Sequence, residues 1–588
     1  MGNKHTCKIS VEGTQIPDAY KLIHAIIRME VNRIGKAVLQ FEAGANEIAP
    51  FEFSDSDILQ PAKTIKVEVI SDEKTDALFE GIILSCQLDS KKGNSAVFTV
   101  ECRDYAYLTT LGRRNAIYED ISDDMIIKKI LSSYGNISAK VEGGDIEHQS
   151  ITQYYVTDWD FILSRADVNG MIICTSGKEI KICPPDVDSG TVASVSYQND
   201  ILDFKGTISG TEQYSEINTA AWSYTNQALT EMQAAPAKYN EQGDLSLKDL
   251  SSFNSNRLLY QTNAAVDDES LRKWADSLAF RAALKRYGGY FVINGNASVI
   301  PGSLVELKGM GKRFDGKIFA GYVEHVIDMN DWKTEVGMGL PDNYITEQPD
   351  VAAPLAAGYL PGIQGMHIGK VTQIHEDPGK ESRIQIALPL LNGDNNLIWA
   401  RLALTYAGNK TGIFFVPEVD DEVVVGFFNN DPCCPVVLGS LYSSKIPAPN
   451  PLTEKNEIKA IVTKEKLTIE FNDEKKIISI RTPGNNMIEI NDDGKSVTIN
   501  DQNKNSFIMD TNGVTIQSDK DIILKAKGNI TVEANSKLGM KSSTSDVSIE
   551  GTNVKAQAKI EISLKGNAKA ELNASGQTIV KGAMVMIN

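Results

Sequence analysis

The sequence predicts a mainly β chain built from β-barrels with helical insertions, an OB-fold barrel and a C-terminal β-repeat. Three observations predict it. Residues 513–536, "GVTIQSDKDIILKAKGNITVEANS", place apolar pairs one position apart at an eight-residue interval: Val514/Ile516, Ile522/Leu524, Ile530/Val532. Residues 366–445 hold five or six short alternating segments in about 80 residues, the size of an OB-type barrel. Residues 1–345 alternate similarly between stretches of helical spacing. At 588 residues the chain exceeds what one core organises.

In the first block, 1–345, "KTIKVEVISD" and "AVFTVECRDY" have the period of half-buried strands. "DISDDMIIKKILSSYG" opens with capping residues and spaces Met125, Ile126, Ile130 and Leu131 as a helix. "DDESLRKWADSLAFRAALKRYGG" reads as a second helix, stopped by Gly288 and Gly289. A linker rich in Ala, Pro and Gly, 346–365, separates it from the barrel block, 366–445. A Pro-rich connector, 446–455, leads into the repeat block, 456–588, whose early part reads as irregular strands that settle into octads.

The octads continue through Leu538/Met540, Val554/Ala556, Ile562/Leu564, Leu572 and Val580, with one register slip at Val547/Ile549. An apolar–polar–apolar triplet is a strand with one buried face, and the polar residues between supply turns. Such a strand buries two side chains, worth roughly 1.5–3 kcal/mol each. Ordering its eight residues costs about 1–2 kcal/mol apiece in backbone entropy. The repeat must therefore stack and have its far side closed. Single-chain solenoids repeat in other periods, whereas three chains around one axis give each octad one strand and one corner. The expected form is an intertwined triple-stranded β-helix, a β-prism needle on the order of 40–50 Å long at about 4.8 Å per strand. Its core is Val514, Ile516, Ile522, Leu524, Ile530, Val532, Ile562 and Leu564.

The formal net charge of −18 without a basic stripe argues against nucleic-acid binding. No run of about 20 apolar residues marks a transmembrane helix, and the N-terminus lacks a signal-peptide core. The chain is expected to be made in the bacterial cytoplasm. Seven scattered cysteines read as reduced thiols, with the adjacent Cys433 and Cys434 on opposite faces of a strand.

Motifs in all three blocks carry a resemblance. "WAR" at 399–401, "FFVPEVDDEVVV" at 414–425 and "DPCCPVVLGSLY" at 431–442 resemble the OB barrel of contractile-tail spike proteins, the VgrG family and its phage-baseplate relatives. Trp399, Arg401, Pro417, Glu422, Pro435 and Gly439 are its structural positions, and Asp420 stands where the family usually has Gly. "QYYVTDWDFILSRADVNGMII" resembles the hub signature through Asp158, Trp159, Phe161, Arg165 and Gly170. "FDGKIFAGYVEHVIDMNDWKTEVGMGL" resembles its closing segment through His325, Trp332 and Thr334. "KGAMVMIN" is similar to the family's blunt needle ends, with Met584, Val585, Met586 and Ile587 as a tip-docking patch. The resemblance implies a homotrimeric central spike of a contractile injection apparatus, in a type VI system, an extracellular phage-tail-like particle or a phage. The hub would seat on the inner tube and baseplate, and the needle would carry a PAAR-type tip protein and effector cargo. The target membrane would be contacted mechanically.

Catalytic motifs are thin. "HEDPG" at His375 lacks the second His of a zincin, "GMGKRF" completes no phosphate loop, and no nucleophile elbow occurs. No enzyme, metal or cofactor is expected. His325 is expected to satisfy a structural hydrogen bond, Trp159, Trp332 and Trp399 to anchor cores, and Asp158 to cap a helix. The alternatives are a cell-wall hydrolase in the poorly assignable segment around 205–260, or a trimeric adhesin or fibre.

Overall fold

The computed structural model describes residues 5–43, 54–71, 74–91, 96–252, 257–264, 266–329, 331–340, 345–390 and 396–587. The chain divides into two compact units, Met1–Leu441 and Tyr442–Asn588.

The first unit is organised by a 13-stranded sheet. Strands Leu22–Glu30 and Lys36–Ala43 alternate strictly, burying Ala25, Ile27, Leu39 and Phe41. Ile27, Leu39 and Phe41 each contribute roughly 1.5–3 kcal/mol on full burial. These join Val67, Phe98 and Val100 in one core. A second core gathers Phe291, Leu307, Ile318, Val323 and Val336. The two halves meet where Gly316–Asp328 pairs antiparallel with Leu22–Glu30, setting His325 opposite Ile27.

Four helices lie in this unit among the described residues: α1 (Asp123–Ser132), α2 (Asp158–Val168), α3 (Leu247–Ser251) and α4 (Asp268–Leu284). α1 and α2 cover a third core with Trp159, Phe161, Ile126 and Ile130. α4 ends at Leu284, so Gly288 and Gly289 do not stop it as expected. Both belong to strand Tyr287–Asn294, opposite Thr207 and Gly206. Gly289 has φ +109, and a Cβ there would lie 1.9 Å from the Lys205 carbonyl oxygen, so the strand pairing itself demands glycine.

The segment around 205–260 builds a three-stranded sheet. Its centre is Glu216–Ser223, with Ala228–Gln233 antiparallel on one side and Arg257–Thr262 parallel on the other. The Thr219 hydroxyl ties it to α4 by donating to the Leu271 carbonyl at 2.7 Å.

Strands His367–Gln373, Ile384–Ala387, Leu397–Leu402, Glu422–Phe427 and Pro435–Ser440 close into a barrel around Val371, Ile386, Ala400, Val423, Val425 and Val437. Cys433 and Cys434 are exposed thiols in the turn before Pro435, where the sequence suggested a strand; the turn is bonded from the Cys433 N–H to Asp431.

In the second unit the reading of 467–500 as irregular strands is corrected. Ile458–Gln517 forms a regular seven-stranded antiparallel meander in chain order. Five of its turns contain one residue in left-handed backbone, Lys466, Lys476, Asn485, Lys495 and Lys504, the site that longer hairpin loops usually give to Gly. Beyond Gln517 the described residues form no strand or helix within one copy, and from Asp519 onward their side chains are exposed. Among the described residues no helix is long and apolar enough to cross a membrane.

The first unit also contains a buried cation. Arg286 is 1% exposed, donates to the carbonyls of Asn240, Gln242 and Ala283, and lies 4.2 Å over the Tyr239 ring. It staples the segment Tyr239–Gln242 to the end of α4. The carbonyls of Asn240 and Ala283 also accept backbone N–H groups, from Gln242 and from residue 286 itself, so Arg286→Met should strand the Gln242 carbonyl at about 1–3 kcal/mol. A denaturant titration should show a loss of that size, and an unchanged midpoint would exclude the staple.

Candidate functional site

The hub-signature residues converge on α2. Its N-cap is Thr157, whose hydroxyl accepts from the Asp160 N–H at 3.1 Å, so Asp158 is the first helical residue and not the cap. Asp158 is 3% exposed. It accepts from the Tyr134 hydroxyl at 2.6 Å and the Gln153 amide at 2.8 Å, and faces Arg114 at 3.0 Å. Burial holds the Asp160 carboxyl above its ordinary range. Trp159 and Phe161 are core, Phe161 stacking on Tyr118 at 6.0 Å.

Arg165 forks onto Asp123, the first residue of α1, through Nε at 2.8 Å and Nη2 at 2.9 Å. Asn169 Nδ2 donates to the same carboxylate at 2.7 Å, and His148 Nε2 lies 3.0 Å from it. Asp123 is fully buried, so this cluster is a charge-compensated brace between α1 and α2. A second brace, Arg281 to Asp167 at 2.5 Å, joins α4 to α2. Gly170 ends α2 with φ +66, the left-handed position a helix terminus favours.

His325 is fully buried, with Nδ1 3.0 Å from the Thr334 hydroxyl and its ring 5.9 Å from that of Trp332. Burial pushes its pKa down to about 4. Trp332 packs against Gly295, where an added Cβ would fall 1.9 Å from the indole.

On the OB barrel, Trp399 is only half-buried, which corrects its reading as a core anchor: the core is lined by Ile384, Ile386 and Ala400 around it. Arg401 is exposed, its guanidinium 6.0 Å from the Phe428 ring. Pro417 and Glu422 are half-buried, Pro435 is buried and opens its strand, and Gly439 is exposed with no neighbour near a Cβ. Nothing in the structure explains the glycine at 439. Asp420 has φ +78 and pairs with Lys370 at 2.6 Å, so the turn does require left-handed backbone. Asp is among the few residues that tolerate it.

The meander has two unlike faces. Cross-strand pairs Ile461/Ile469, Ile469/Ile480, Phe471/Ile478, Ile478/Ile490, Ile480/Ile488, Ile488/Ile499 and Phe507/Ile516 run along one face. Most of these side chains are exposed, Ile499 at 45% and Ile516 at 56%. The other face is polar yet partly shielded: Arg481 covers Ser479, which is 1% exposed, and reaches Glu470 at 3.1 Å. Val514 and Ile516 belong to the last strand of the meander. Ile522, Leu524, Ile530, Val532, Ile562 and Leu564 lie beyond it, at 53–80% exposed. Met584, Val585, Met586 and Ile587 are exposed as well.

The exposed isoleucines of the meander form an apolar surface. The buried charges are held by structural partners, and no group of three or more His, Cys, Asp or Glu among the described residues is placed to hold a metal. Sequence reasoning missed Asp123, Asp167 with Arg281, and Arg286. Asp123 sits at the capped start of the helical stretch it did find.

Residues 2–329 match the model of the Alg8 N-terminal domain family, more than half of the chain. The chain belongs to that family. Residues 367–442 match the type VI secretion system/phage-baseplate injector OB domain. Through this domain the chain is VgrG-like, similar to the spike proteins of type VI secretion and phage-baseplate injectors. Among curated relatives, it is 31% identical over 118 residues to the type VI secretion system spike protein VgrG5 of Pseudomonas aeruginosa, covering 18% of this chain and 15% of that protein. It is 33% identical over 63 residues to VgrG3 of Vibrio cholerae, covering 11% and 6%. The matched segments thus span a small part of either relative. The 43 kDa tail protein of prophage MuSo2 from Shewanella oneidensis superposes with a TM-score of 0.46 at 11% identity, covering 57% of this chain and 99% of that one.

The buried histidine gives this VgrG-like chain a pH signature. With its pKa lowered from 6.5 to about 4, His325 binds a proton in the unfolded chain before it does in the folded one. Stability should therefore fall as pH drops from 6.5 toward 4. In His325→Gln, which keeps a partner for Thr334, this part of the slope should vanish. Thermal melts across that window should show the variant losing less stability than the parent, by on the order of 3 kcal/mol; parallel curves would refute the assignment.

Proposed function

We propose that the chain is the homotrimeric central spike of a contractile injection apparatus. It is seated on the inner tube and baseplate by its hub and punctures the target envelope mechanically. The observation that carries this reading is the apolar face of the meander, continued by the octads. In one copy its isoleucines remain 37–56% exposed, so covering them would contribute about half of the roughly 1.5–3 kcal/mol that full burial of each yields. An exposed patch of this size marks an interaction surface. Three copies related by one axis turn those faces into a shared dry interior and leave Lys, Asp, Asn and Ser outside. Exposed Phe414 and Phe415 on the OB barrel, at 78% and 56%, extend the same logic to the first unit.

The role is mechanical, not catalytic, in this reading, and peptidoglycan cleavage by purified protein would overturn that part. The protein is made in the cytoplasm and leaves the cell with the particle. The exposed residues Met584–Ile587 would receive a PAAR-type tip protein, and effector cargo would travel with the assembly.

Light scattering on the purified chain should give the mass of three copies. Ile490→Asp and Ile530→Asp should each disrupt the shared interior, because three carboxylates would be buried near one axis. A monomeric parent, or a fully SDS-resistant trimer in both variants, would sink the reading. Replacing Met584, Val585, Met586 and Ile587 with Ser should leave the trimer intact and abolish co-purification with a PAAR-type tip protein. Retained tip binding would refute that docking site.

A further inference from the structure

The insertion around 205–260 forms one wall of a cleft of 1440 Å³. The end of the ribbon formed by Arg114–Ser122 and Glu147–Val156 forms the facing wall, and the start of α4 closes one side. The cleft exceeds the roughly 300–1,000 Å³ typical of small-molecule sites. Its size suits a length of polypeptide.

Its lining has a definite chemistry. Trp222, at 39% exposed, and Tyr224, at 73%, present aromatic surface to it, and Trp274 lies alongside. The Trp274 indole N–H is buried with no hydrogen-bond acceptor among the described residues. Asp120, Glu147 and Asp268 add three exposed carboxylates, and no ion pair to any of them occurs among the described residues. The two basic side chains at the cleft, Arg165 and His148, are both turned to Asp123 and so do not neutralise the rim. Aromatic faces beside uncompensated carboxylates are complementary to Lys and Arg. The carboxylates supply charge, and each ring adds about 0.5–1 kcal/mol of cation–π attraction at an exposed site.

We propose that this cleft binds an extended, Lys- or Arg-bearing segment of a partner protein, with Trp222 and Tyr224 as the aromatic anchors and Asp120, Glu147 and Asp268 as the charge partners. Its basis is independent of the self-association proposed for the second unit, since every residue involved lies in the first.

The test uses the full-length protein and a fluorescent decapeptide alternating Lys and Ala, read by anisotropy at low and physiological salt. Binding should weaken with salt and fall about two- to fivefold in Trp222→Ala and in Tyr224→Ala, neither of which changes charge. It should fall similarly in the double variant Glu147→Gln, Asp268→Asn. The double variant Glu376→Gln, Glu381→Gln, which removes the same charge from the OB barrel, should bind as the parent does. Circular dichroism identifies a variant that has failed to fold, and Tyr224→Ala, altering the more exposed ring, then carries the test. Equal binding of a Glu–Ala decapeptide, equal loss in the barrel variant, or unchanged binding in both aromatic variants would overturn the proposal. Tighter binding of a chitin oligosaccharide than of the basic peptide would overturn it in favour of a glycan site.

Discussion

The structure depends on where the meander's isoleucines go. An antiparallel sheet is stable when one face is covered, and here the better-shielded face is the polar one, where Arg481 spans Ser479 and Glu470. The apolar face has no cover among the described residues of its own chain. On the proposed assembly, other copies supply that cover. The first unit obeys the opposite rule, since its cores around Ile27, Phe291 and Val423 close within one copy.

Inside the first unit, buried charge replaces some of the packing. Asp123 holds Arg165, Asn169 and His148 on one carboxylate, and Asp167 holds Arg281. Removing one partner of such a pair typically costs more than the pair contributes, because the remaining charge is stranded in low dielectric. These contacts fix α1, α2 and α4 relative to one another. The walls of the acidic cleft are thereby held partly by the Asp123 cluster, whose Arg165 and His148 line it. The hub signature is accordingly a signature of bracing: Trp159 and Phe161 fill, Asp158 and Arg165 tie, and Gly170 turns.

Much of the architecture was legible in the sequence because it is written in period two. The mainly β class, the barrel of 366–445 and helices at 123–132 and 268–284 follow from alternation, capping residues and helical spacing. What was illegible involved partners distant in sequence. Gly288 and Gly289 look like a helix stop, yet their role is set by Lys205 and Gly206 on a neighbouring strand. Trp399 looks like an anchor, but side-chain size does not say which face of a barrel strand it occupies. Asp158 looks like a cap because acidic residues favour that site, and Thr157 beside it took the position. The nine- to ten-residue rhythm of 458–510 was hidden by turns whose left-handed residue is Lys in four cases, not Gly. The segment 205–260 was unreadable for a related reason: one of its strand pairings is parallel and joins residues about forty positions apart.

The contrast between the meander and the octads has a kinetic consequence. Each hairpin of 458–517 joins neighbours in sequence, so its closure is local and belongs to the microsecond range of hairpin formation. Residues 518–587 have no such partners in their own copy. On the proposed assembly their ordering waits for encounters between chains, and its rate rises with protein concentration while that of the hairpins does not. The shaft would then close like a zip fastener whose first teeth are already set, starting at the meander and running outward.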